Sequence, residues 1–183
     1  MFPLQPTVLL IGLRASGKST VGPLVAAELR LPFIDLDPLT AQELGESSAA
    51  KAFLTKGQAA FRMAESTALS RVLQSSAPAV IALGGGTPTA PGFAQLLADY
   101  PDATLIYLRA TPTTLRARLA NTDTASRPSL TGKGTLDEMA EVFAARDPLY
   151  RALAHLEIAV DGLSESDAAA RALSELASRR QTS

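Results

Sequence analysis

Gly12-Leu13-Arg14-Ala15-Ser16-Gly17-Lys18-Ser19 decides how the chain is read. It satisfies G-x-x-x-x-G-K-[ST] at every fixed position. Residues 7–11 before it, Thr-Val-Leu-Leu-Ile, form a continuous apolar, β-branched run that suits a central strand buried on both faces. Residues 18–30 after it carry Val21, Leu24, Val25, Ala27 and Leu29 at helical spacing. Strand, glycine loop and helix together cradle phosphate. Glycine lets the backbone turn its N–H groups inward, and the helix brings its positive end to the same place. Lys18 is placed to reach the terminal phosphates, and the Ser19 hydroxyl can ligate Mg²⁺. Chance alone would produce the match in fewer than about one chain in a hundred of this length, given glycine near 7% of residues.

The rest of the chain alternates in the same way. Short strands are expected at 33–34, 80–83, 104–108 and 156–160. Helices are expected in pieces over 38–76, broken at Gly45 and Gly57, then over 91–100, 111–121, 136–153 and 164–180. Pro91 should open one helix, and Thr111 should cap another with Pro112 at its first position. Ser164 should cap the last, with Asp167 three residues on. Residues 122–134 are almost without apolar side chains and read as a mobile loop. This pattern predicts an α/β sandwich around a parallel sheet, in one domain spanning 1–183.

Composition removes several chemistries. The 183 residues include no cysteine and one histidine, His155, so disulfides, thiolate metal sites and multi-histidine zinc are excluded. Seventeen basic against eighteen acidic residues leave a net charge of −1, without the basic excess of a general nucleic-acid binder. The apolar runs are too short to span a membrane. The first residues lack the basic start of a signal peptide, and a cytoplasmic location is expected. His155, Tyr107 and Tyr150 read as structural or packing residues.

Candidate site residues lie where a doubly wound sheet binds ligands, beyond the carboxyl ends of its strands. Asp35 and Asp37 end the second strand, and alternation would put them on one side, where two carboxylates could hold Mg²⁺ and accept a proton. The plainer reading has Asp37 cap the helix opened by Pro38. Gly84-Gly85-Gly86 end the third strand and suggest a close backbone approach to a ligand, the alternative being a flexible turn. Arg62 interrupts an apolar helix face, Arg146 precedes Asp147-Pro148-Leu149-Tyr150, and Arg127 lies in the polar loop before Pro128. A lone arginine is ordinarily a solvated one. A guanidinium fork can instead clamp a carboxylate, and an arginine on a loop beside a phosphate site can close on the transferring group.

With these segments quoted, the chain resembles the shikimate kinase family. GLRASGKSTVG is similar to its phosphate loop, FIDLD to its Asp-x-Asp strand end, and GQAAFRMAE to its G-E-x-x-F-R-x-x-E helix. LGGGT is similar to its glycine loop, SRPSL to its lid Arg-Pro-Leu-Leu, and RDPLY to its R-x-P-L-Y segment. The resemblance implies a three-layer fold like that of the nucleoside monophosphate kinases, with a five-stranded parallel sheet in the order 2-3-1-4-5. Substrate-binding helices would occupy about 36–62 and a lid about 121–135. It implies phosphorylation of the 3-hydroxyl of shikimate by ATP with Mg²⁺, by a monomer that needs neither nucleic acid nor membrane. Gly12, Ala15, Ser16, Gly17, Lys18, Ser19, Thr20, Arg118 and Arg127 would bind ATP, Arg118 (or else Arg116) packing on adenine. Ser19 and Asp35 would hold the metal. Asp37, Arg62, Gly84, Gly85, Gly86 and Arg146 would bind shikimate, with Lys18, Asp37 and Arg127 catalytic. Departures are Gln58 for the first glutamate of the helix motif, Ser129 for the first lid leucine and Pro23 for an arginine. Two rivals stay open: a kinase of another hydroxy acid such as gluconate, and a non-catalytic nucleotide or shikimate sensor.

Overall fold

The computed structural model describes residues 7–75, 77–120 and 138–182. Five parallel strands form its sheet: β1 (Val8–Ile11), β2 (Phe33–Asp35), β3 (Val80–Ala82), β4 (Thr104–Arg109) and β5 (Leu156–Ala159). Their order across the sheet is β2-β3-β1-β4-β5, as the resemblance implied. β1 lies at the centre, pairing Val8 with Val80 on one side and with Thr104 on the other. All four of its residues are buried, so an uninterrupted apolar run is what this position needs. The strand order reverses beside β1, and this switch point places the phosphate loop and the ends of β2 and β3 around one crevice.

The helices are α1 (Lys18–Leu29), α2 (Leu36–Glu43), α3 (Ala49–Gln74), α4 (Phe93–Ala98), α5 (Pro112–Ala120), α6 (Met139–Leu153) and α7 (Glu165–Thr182), with a 3₁₀ turn at Thr87–Thr89. Gly57 breaks α3 with φ 81° and ψ 168°, a conformation open to glycine, so the long helix is two segments meeting at a bend. At the start of α7, Ser164 Oγ accepts from the Asp167 amide at 3.1 Å and donates to its carboxylate at 2.6 Å. Ser164 thus caps the helix as expected, with Asp167 bonded to its hydroxyl.

Two local expectations need correction. Pro91 does not open α4. Gly92, left-handed at φ 82°, stands between them, and the helix begins at Phe93. Asp37 does not cap α2 either, and the alternation assumed for it does not reach it. β2 ends at Asp35, whose side chain accepts from the Asp37 amide at 3.1 Å and is itself the cap. Asp37 lies in the first helical turn, where an acidic group suits the helix's positive end. The expected lid at 121–135, with Arg127 and Ser129, lies outside the described residues.

Candidate active site

The phosphate loop joins β1 to α1 in a compact turn. The Ser16 amide donates to the Leu13 carbonyl at 3.1 Å, and Gly17 takes φ 102° at the helix start. A β-carbon at Gly12 would overlap Ser16 Oγ and sit 2.7 Å from the Leu108 carbonyl, so this glycine is demanded by packing as well as by its φ of 156°. Ala15 also carries positive φ, 64°, a strained choice for a residue with a β-carbon. Lys18 folds back over the loop and donates to the Gly12 carbonyl at 2.7 Å and the Leu13 carbonyl at 3.1 Å. Thr20 is exposed and donates to the Gly17 carbonyl at 3.0 Å, a local helix-start bond.

Ser19 and Asp35 are brought together: Ser19 Oγ donates to Asp35 Oδ2 at 3.0 Å. Two hard oxygen donors, one from the first turn of α1 and one from the end of β2, thus meet beside the loop, the donor chemistry a small divalent cation takes. Arg118 reaches the loop from α5. It donates to the Ala15 and Ser16 carbonyls, each at 3.3 Å, and to the Val160 carbonyl at 2.9 Å, bracing the loop against the end of β5. Arg116 is exposed on the same helix.

Beyond the loop lies a cavity of about 430 Å³. Its walls carry Lys18, Ser19, Asp35 and Asp37 from the nucleotide side, and Arg62 and Arg146 from α3 and α6. Arg62 is paired with Glu65 one turn on, and Thr87 donates to the other Glu65 oxygen at 2.8 Å. Burial pushes the Glu65 carboxyl above its ordinary pKa, and Arg62 and Thr87 oppose that rise. Arg62 Nε is buried with no hydrogen-bond partner among the described residues, which leaves this guanidinium capacity beyond its glutamate. Arg146 donates to the Gly85 carbonyl at 2.7 Å, and the Tyr150 hydroxyl donates to the same oxygen.

All three glycines line the cavity, and two of them are also required by packing. A β-carbon at Gly84 would overlap the Glu65 carboxylate, and one at Gly86 the Arg62 guanidinium. These two are glycines because the charged pair packs onto their backbone. At Gly85 the nearest atom would be the Arg14 nitrogen, at 3.4 Å, which is ordinary contact. Of the three, Gly85 has no such packing reason to be glycine.

Tyr107 and Tyr150 are packing residues, as expected, with ring centroids 5.4 Å apart at 86°. Each also donates a hydrogen bond, Tyr107 a buried one to Asp147 at 2.9 Å and Tyr150 a partly buried one to the Gly85 carbonyl. Sequence reading missed those roles, although RDPLY contained both Asp147 and Tyr150. His155 is structural: its Nδ1 accepts from the Leu105 amide at 2.9 Å.

A P-loop, two carboxylates where β2 passes into α2 and cationic side chains across one crevice define a small-molecule kinase of the P-loop class. A family model described as shikimate kinase matches residues 14–177. Shikimate kinase 2 of Yersinia enterocolitica is 39% identical over 154 residues, 83% of this chain and 85% of that protein. Among solved structures, the shikimate kinase of Acinetobacter baumannii in complex with shikimate superposes with a TM-score of 0.85 at 27% identity, covering 97% and 96% of the two chains. A gluconokinase from Sinorhizobium meliloti shares the fold, with a TM-score of 0.68 at 18% identity over 97% of this chain and 94% of that one. The chain belongs to the shikimate kinase family. Its members are enzymes, and the activity that membership assigns is phosphoryl transfer from ATP to shikimate.

Proposed function

We propose that the enzyme transfers the γ-phosphoryl group of ATP to the 3-hydroxyl of shikimate. The observation that carries this reading is the single cavity joining Lys18 and Ser19 to Arg62 and Arg146. It offers one end to a polyphosphate and the other to a carboxylate.

ATP lies along the phosphate loop, where the backbone N–H groups and Lys18 meet its phosphates. To do so Lys18 exchanges its two loop carbonyls for phosphate oxygens. The Ser19 hydroxyl and the Asp35 carboxylate would hold Mg²⁺, which would supply positive charge against that of the phosphates. The shikimate carboxylate lies against Arg62 and Arg146, near Gly85. Asp37 orients the acceptor hydroxyl and takes its proton. The hydroxyl oxygen bonds to the γ-phosphorus as the bond to the β–γ bridging oxygen breaks, and ADP departs with that oxygen. Arg127 of the lid closes on the transferring group and shares its charge with Lys18. Arg118 faces the nucleotide from α5. The protein's contribution is position and fixed charge in a closed site. The cysteine-free chain suits the cytoplasm, where the enzyme acts as a monomer.

The test is release of ADP that depends on added shikimate, with the product identified by ³¹P and proton NMR. Shikimate-dependent turnover giving the 3-phosphate supports the reading. Turnover with gluconate in place of shikimate would replace it by the related hydroxy-acid kinase, and ligand binding without turnover by a sensor.

A further inference from the structure

Asp147 follows Arg146 on α6 but does not share its cavity. Its side chain is 12% exposed and turned toward β4. There Oδ1 accepts from the Tyr107 hydroxyl at 2.9 Å and from Arg109 Nε at 2.7 Å, and Oδ2 accepts from Arg109 Nη2 at 3.2 Å. Tyr107 and Arg109 are alternate residues of one strand and so present the same face. The Arg109 guanidinium also lies 5.2 Å from the ring centroid of Phe143, one turn earlier on α6. One strand therefore grips α6 at two successive turns. Burial pushes the Asp147 carboxyl up, but the bonds from Arg109 and Tyr107 outweigh it and hold the pKa below its ordinary value.

The opposite face of this grip is the site. Arg146 and Tyr150, four residues apart on the same helix, both donate to the Gly85 carbonyl. Tyr150 stacks edge-on against Tyr107, so the two sets of bonds share a wall. The helix needs an outside restraint here. Pro148 interrupts it and removes the N–H that would have bonded the Ala144 carbonyl. A rotation of about 10° carries a group about 6 Å from a helix axis through about 1 Å. A displacement of that size can cost about a hundredfold in rate.

We propose that Asp147 is a positioning residue for phosphoryl transfer: by tying α6 to Tyr107 and Arg109, it sets the rotation at which Arg146 meets both the Gly85 carbonyl and the substrate carboxylate. This rests on the assignment of Arg146 to that carboxylate.

Asp147→Ala, Asp147→Asn and Tyr107→Phe are compared with the full-length wild type in steady-state assays and in amide hydrogen exchange. Asp147→Ala is expected to raise KM for shikimate at least tenfold and leave KM for ATP within twofold. Asp147→Asn, which keeps an acceptor for Tyr107 and Arg109, should recover most of that loss. Tyr107→Phe, which removes one hydroxyl and keeps the ring, should raise shikimate KM about threefold and carries the test if Asp147→Ala does not fold. Amides of residues 84–90 should exchange at least tenfold faster in Asp147→Ala, or in Tyr107→Phe in its place, with those of β1 unchanged. A merely structural residue would lower the melting temperature and the yield of active enzyme but leave both KM values alone, and that result overturns the proposal. So does unchanged exchange at 84–90. If the wild type turns over no shikimate, the functional reading fails, and the exchange arm still decides the role of Asp147.

Discussion

Replacing Gly86 by alanine tests whether the glycine loop is shaped by the arginine beneath it. The Gly86 backbone, at φ −122° and ψ −5°, suits alanine, so no dihedral strain enters. The added methyl would overlap Nη2 and Cζ of Arg62 and sit 2.6 Å from Nη1. Ordinary contact begins near 3.4 Å and the nearest guanidinium atom would be at 2.0 Å, so the guanidinium or the loop must give by about 1.4 Å. If Arg62 yields, it leaves the Glu65 carboxylate and the place where the substrate carboxylate docks. If the loop yields, the Gly85 carbonyl moves off Arg146 and Tyr150. Both routes spoil the same binding site. Misplacing one partner of a desolvated charge pair costs at least about 2 kcal/mol, or about thirtyfold in affinity. The overlapped atoms end a flexible side chain, so the protein should still fold. Titration calorimetry is therefore expected to show shikimate binding weakened thirtyfold or more, with ATP affinity within twofold of wild type. Folded Gly86→Ala that binds shikimate within threefold of wild type would refute the reasoning.

Gly85→Ala should behave in the opposite way: its methyl finds ordinary contact at 3.4 Å, so thermal stability holds while shikimate affinity drops on calorimetry. Arg62→Ala should weaken shikimate by several kcal/mol and leave ATP binding nearly intact; it should also lower the melting temperature, because Glu65 is left buried with only Thr87. Arg127→Ala is expected to lower kcat by about a hundredfold or more in the coupled assay, an unaltered kcat showing the lid arginine to be dispensable. His155 is held below its ordinary pKa by burial and by Arg179. A depressed pKa contributes stability that is present above the unfolded value near 6.5 and is lost as pH falls through the folded one. The wild-type melting temperature should therefore decline as pH drops below about 6.5, and a His155→Gln variant should show a flatter profile.

The elements most legible in the sequence were those built from local periodicity and backbone geometry. β1 declares itself because a central parallel strand must be apolar on both faces, and the phosphate loop because its glycines and lysine serve a fixed backbone path. The order 2-3-1-4-5 came from resemblance, since periodicity does not say which strands lie side by side. Asp35 and Asp37 were found by type, but Asp37 was given a strand geometry it does not have. A period of two holds only while the strand continues, and the chain turns helical at Leu36.

Side-chain chemistry and spacing alone pointed to a phosphate loop with arginines suited to an anion, and the resemblance supplied the kinase. Only the folded chain decided how those groups are held. Gly84 and Gly86 are glycines because Arg62 and Glu65, some twenty residues earlier, pack onto their backbone. Asp147 and Tyr150 read as ordinary helix positions until β4 and the glycine loop are brought against them. Such contacts depend on which surfaces meet across the sheet, and that follows from the packing of the whole core, which no local pattern encodes.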